Sequence, residues 1–201
     1  MLSSILPVRS LLAAIFMLMA GSGFLSTLIS LRLERGGSGT LMIGAVATAY
    51  FAGLTVGALR AAPVVQRVGH IRAFAAFVSL LSASTLAYAL FQNVLFWASL
   101  RFIDGLCVAG VFICLESWLN ERAEPDTRGS ILAGYMIALY SGQALGQFLL
   151  NFGRTPSIPF LIASILISLA VIPVVITRIA APLPGQNALC TMLQLYASSP
   201  L

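Results

Sequence analysis

Lysine is absent from this chain, histidine occurs once (His70), and aspartate and glutamate together number six. Charged residues make up 8% of the 201 positions, against about 25% in a soluble globular domain, which excludes a soluble core with one apolar face. So few titratable groups also leave little for catalysis. No HExxH sequence, Ser/His pairing or paired aspartates can be assembled, so an enzyme is not expected. Three cysteines make no framework: Cys107 and Cys114 lie seven apart on one expected helix, roughly 10 Å between Cα atoms, too far for a disulfide. Cys190 stands alone near the C-terminus. No set of residues has metal-ligand spacing, and no Gly-x-x-x-x-Gly-Lys-Ser/Thr sequence is present to hold ATP, so no metal or cofactor is expected.

What fills the chain instead is apolar. Hydrophobic residues account for 59% of it and the mean hydropathy is +0.99, the composition of an integral membrane protein. The net charge of +5 comes from eleven arginines placed mostly at the ends of apolar runs. That placement is a topological signal and gives no support to nucleic-acid binding.

Six spans are expected. The first follows Arg9 and continues past Ala20-Gly21-Ser22-Gly23 to Leu31. Its length of about 22 residues suits an uncleaved span across a ~30 Å hydrocarbon core better than a signal peptide. The others are expected at about Leu41–Leu59, Ala73–Phe91, Val94–Leu119, Ser130–Phe152 and Pro159–Ile176, with Pro173 kinking the last. A loop carrying Arg60, Arg67 and Arg72 is expected between the second and third. Arg9, Arg60, Arg67, Arg72, Arg122, Arg128 and Arg178 fall on one side of the membrane, and Arg32, Arg35 and Arg154 on the other. The positive-inside rule therefore puts the N-terminus in the cytoplasm. Residues 1–178 read as the bundle. Residues 179–201 read as a Pro/Gly linker followed by the start of a seventh helix that is cut off.

The fourth span is the unusual one, because Arg101, Asp104 and Glu116 all lie in it. An ionised side chain at mid-membrane costs roughly 2.5–3.5 kcal/mol on insertion scales, so three in one helix call for a water-filled path or mutual pairing. Arg101 and Asp104, three apart, share a face. They could bind substrate and a coupling proton, or form a static pair that sets packing. Glu116 lies about 18 Å further along, near the cytoplasmic end, within expected reach of Arg67 or Arg72. In the fifth span Tyr140, Gln143, Gln147 and Asn151 form one polar face, read as cavity lining or as interhelical hydrogen bonds, with Ala138, Gly142 and Gly146 as a close-packing edge. Ser22, Ser26 and Ser30 share a face of the first span, as a cavity wall or a packing surface. In the second span Gly44, Thr48 and Ala52 form one small-residue stripe, and Gly53 and Gly57 another.

Taken together, these features resemble the N-terminal half of a major facilitator superfamily transporter. Arg67, Gly69 and Arg72 match the family's loop signature, with Gln66 and His70 in place of its acid and an arginine. Arg101, Gly105, Ala109 and Gly110 match its fourth-helix signature. The sequences Arg67 to Arg72 and Glu116 to Arg122 are similar to a bacterial branch with poorly defined substrates. The resemblance implies an all-α six-helix bundle in the bacterial plasma membrane, forming one half of a secondary transporter of small solutes. Its energy source would be a proton gradient, and its counterpart a missing C-terminal half or a second copy. Arg101, Asp104, Tyr140, Gln143, Gln147, Asn151, Ser22 and Ser26 are the expected substrate and proton site. Arg67, Gly69, Arg72, Glu116 and Arg128 are the expected cytoplasmic gate. The competing expectation is a non-transporting membrane scaffold, or a half-size protein acting as a dimer.

Overall fold

The computed structural model describes residues 8–122, 126–151 and 157–176, and these are almost wholly helical. The first span is α1 (Arg9–Ser22) and α2 (Leu25–Arg35), the second α3 (Thr40–Val68) and the third α4 (His70–Ala87). The fourth is α5 (Val94–Arg122), the fifth α6 (Arg128–Leu149), and the sixth α7 (Ile158–Leu169) with α8 (Val171–Ile176). Among the described residues every span except α6 is both long and apolar enough to cross a bilayer. The 22 residues of α6 reach ~33 Å, enough to cross, but glycines, serines and glutamines dilute its apolar character. The six-span expectation therefore holds for the fold. Arg154, Arg178, Cys190 and the expected linker and seventh helix lie outside the described residues.

The boundaries correct the sequence reading in one informative place. The stretch expected as a basic loop after Leu59 is helix: α3 runs on through Arg60, Pro63 and Arg67 to Val68, and α4 begins at His70. Arg60, Pro63 and Arg67 are exposed on α3, where flexible arginine stems let a helix extend beyond the hydrocarbon. The connection is one residue, Gly69. Its φ of +90° is a conformation that side-chain-bearing residues avoid. Its N–H donates to Val65 O at 2.8 Å and its carbonyl accepts from Ala73 N at 3.0 Å, closing both helix ends. The sixth span breaks at Ala170, just ahead of Pro173, which has no N–H to give Leu169.

Packing follows a repeated plan. The first span packs most closely on the fifth and the fourth on the second; the first also packs on the sixth, and the fourth on the third. Shifting each span by three in chain order turns one set of pairings into the other. The remaining strong pairing, third on sixth, maps onto itself. An odd-numbered unit repeated in a membrane is an inverted repeat, the internal symmetry of many secondary transporters. Small residues permit the two closest approaches. A Cβ on Gly53 would collide with Phe102 O of α5, and one on Gly142 would lie 2.5 Å from Phe16 O of α1. The Gly53/Gly57 stripe is thus the packed one. Nothing lies within 4 Å of a Cβ on Gly44, and Thr48 and Ala52 beside it are exposed.

Candidate functional site

These pairings leave a gap bounded by the first span and α3, α4, α5 and α6. Into it α5 carries Arg101 and Asp104, whose Nη1 and Oδ2 atoms are 3.7 Å apart. Both are buried, at 4% and 1% exposure. The partners that hold the pair come from outside α5. Arg101 Nη2 donates to Ser26 Oγ of α2 at 2.5 Å, and its guanidinium lies 5.0 Å from the ring centroid of Tyr50 on α3. Asp104 accepts from Ser84 Oγ of α4 and from the Tyr88 hydroxyl just beyond α4, each at 2.6 Å. Charge-assisted hydrogen bonds of this kind offset the desolvation of the pair, which ion pairing alone seldom does.

The pair lines a cavity of about 270 Å³ together with Ser22, Ser26, Tyr50, Val108, Phe112 and Gln143. A second chamber of about 170 Å³ shares Ser26, Tyr50 and Arg101 with it and is otherwise walled largely by Ile29, Leu33, Ile43, Val46 and Phe51. Arg101 therefore stands between a chamber of mixed lining, to which Met19, Leu25, Leu81 and Leu139 also contribute, and a more apolar one.

The cavity also borders the break in the first span. Gly23 and Phe24 separate α1 from α2, and Gln147 Nε2 of α6 donates to Gly23 O at 3.1 Å. Both residues keep right-handed helical dihedrals, and Gly23 N still donates to Met19 O and Leu28 N to Phe24 O, so the span is interrupted here without unwinding.

The expected site residues fare unevenly. Ser22, Ser26, Arg101, Asp104 and Gln143 converge on the cavity, and Ser30 lines its apolar neighbour. The polar face expected on the fifth span divides: Gln143 reaches the cavity, Gln147 serves the break, and Asn151 is exposed past the helix end. Tyr140, 63% exposed, lies away from the α1 contact made by Gly142 and Gly146. Tyr140 and Asn151 share nearly one azimuth but lie about 16 Å apart along the axis, so the same face meets different surroundings along its length.

At the opposite end, Arg67, Arg72 and Arg128 are exposed around the Gly69 turn and the start of α6. Glu116, also exposed, accepts a hydrogen bond from Tyr135 of α6 at 3.3 Å. Among the described residues no ion pair joins it to Arg67 or Arg72. The turn is instead tied to α5 by His70, stacked on Trp118 with 5.9 Å between ring centroids. Tyr50, Ser84 and Tyr88 escaped the sequence reading. The pattern that marked Ser22, Ser26 and Ser30 in the first span, hydroxyls recurring every fourth residue of an apolar helix, also holds for Ser84 and Tyr88.

The bundle is thus an inverted repeat of three spans, with a buried ion pair bordering a cavity. The chain matches the Major Facilitator Superfamily over residues 11–190, and it belongs to that family. It is 32% identical over 145 residues to the uncharacterized MFS-type transporter YcaD of Salmonella enteritidis. It is 31% identical over the same length to the protein of that name from Salmonella typhi. In both comparisons the matched region is 72% of this chain and 38% of the relative, so the chain spans well under two thirds of those proteins.

Proposed function

We propose that this bundle forms one side of a secondary active transporter that moves a small solute by alternating access with proton coupling, in the bacterial plasma membrane. The observation that supports this most is the position of Arg101 and Asp104: a deeply buried ion pair that borders a cavity of mixed polar and apolar lining instead of being packed over on all sides. Exposed small residues on α3 (Gly44, Thr48, Ala52) and the exposed polar side of α6 would meet a second six-helix bundle, supplied by further chain or by another copy. The arginine distribution favours a cytoplasmic N-terminus, which would put Gly69 and Glu116 at the inner face. Glu116 would exchange Tyr135 for Arg67 or Arg72 as that face shuts, with Arg128 nearby. The test is Ser22→Cys, in a background with Cys190→Ser, labelled by a membrane-impermeant maleimide from each side of sealed vesicles. Labelling whose sidedness shifts when a pH gradient is imposed is the expected result. Protection from both sides under every gradient would overturn the reading.

A further inference from the structure

The same cavity, taken as the transport site just proposed, carries an inference about its cargo. We propose that the cargo is a small organic monoanion, a carboxylate bearing a short apolar group, and that it enters together with one proton taken by Asp104.

The argument is one of charge and shape. Among the described residues, Asp104 is paired with Arg101, accepts from Tyr88 beyond α4, and interacts electrostatically with Cys107 of its own helix and Tyr50 of α3. The first span contributes the hydroxyls of Ser22 and Ser26, and α6 contributes the amide of Gln143. With Asp104 ionised, the fixed charges cancel and the cavity has no net pull on an ion. A proton on Asp104 removes that balance and leaves a guanidinium buried to 4% exposure with no counter-charge, a costly state. An incoming carboxylate restores it, and its planar pair of oxygens suits the guanidinium fork. Proton and anion therefore stabilise each other's binding, which makes the loaded site electrically equivalent to the empty one.

The apolar chamber sets the remainder of the molecule. Arg101 borders it, so a headgroup held there can direct its substituent between Ile29, Leu33, Val46 and Phe51. At ~30 Å³ for each water-sized group, about 170 Å³ admits roughly five or six such groups.

Calorimetric titration of the purified full chain tests this, with acetate, butyrate, hexanoate and decanoate, each beside its primary amide and its amine. Runs in two buffers of different ionisation enthalpy count the protons. Carboxylates should bind at least tenfold more tightly than amides, best at intermediate length, with close to one proton taken up per anion. Asp104→Asn should still bind the anion but take up no proton, while Arg101→Gln should lose at least tenfold in affinity. Val46→Trp, which fills the apolar chamber, should move the optimum toward acetate. Amides binding as tightly as carboxylates, anion binding without proton uptake in the unaltered chain, or no carboxylate binding at all would each overturn the proposal. If that happens while Ser22→Cys is still labelled with gradient-dependent sidedness, the cargo assignment alone falls. Loss of that labelling removes the transport reading beneath it.

Discussion

Two regions of this bundle bury polar side chains, and they do so to opposite ends. On the α4–α7 seam, Ser82 Oγ lies 2.7 Å from both Ser164 Oγ and Ser168 Oγ, and Ser164 Oγ donates to Ser82 O at 3.2 Å. The nearby Tyr88 ring stacks on Phe160 at 5.6 Å. Those hydroxyls satisfy one another across a helix contact in which Ser82 and Ser164 are buried and Ser168 is exposed. Next to this seam and sharing Tyr88 with it, Arg101 and Asp104 have equally good partners, yet they line open space. Polar burial by itself thus does not identify a site. What separates the two regions is whether the satisfied groups also border a void, and whether they carry charge that a ligand could exchange.

Substitutions can break or sharpen that contrast. The largest effect is expected from Asp104→Ala, which strands the Arg101 guanidinium: about 3–5 kcal/mol lost, read as reduced resistance to denaturant in detergent. The double variant Arg101→Met/Asp104→Leu should recover most of that stability while abolishing carboxylate binding. A double variant as unstable as Asp104→Ala would instead mean that the pair serves packing. Next is Gly53→Val, whose side chain must displace the backbone at Phe102, with a loss of about 1–3 kcal/mol or more and poor recovery of monodisperse protein. On the seam, Ser82→Ala should cost about 0.6 kcal/mol per lost contact and leave binding unchanged. The smallest stability effect belongs to Glu116→Gln, at an exposed position. Its readout is the sidedness of Ser22→Cys labelling, and an unchanged ratio would remove Glu116 from the gate.

Much of this was legible in the residues. Long apolar runs with arginines at their ends leave little choice but membrane helices, and the Arg101–Asp104 pairing follows from a spacing of three on one helix. The close-packing edge of α6 was also readable, because small residues four apart have few other uses in lipid. Two features were not. Arginines between apolar runs look like a loop, but they serve equally well on a helix that projects beyond the hydrocarbon, and only the backbone at Gly69 marks the turn. Serines and tyrosines in an apolar helix look alike whether they bond their own turn or a distant carboxylate. Thr85, bonded to Leu81 O, and Ser84, bonded to Asp104, are adjacent residues with those two fates.

The sequence by itself therefore determined that the chain crosses the membrane repeatedly and that its fourth span holds charges needing company. Both follow from the free energy of moving side chains between water and hydrocarbon, which depends on composition along a helix and little on neighbours. Which groups keep that company, and on which side of them space remains, was decided only by tertiary structure. Hydrogen bonds such as Ser84 and Tyr88 to Asp104 join separate helices, and their geometry is set by how closely glycines elsewhere allow those helices to approach.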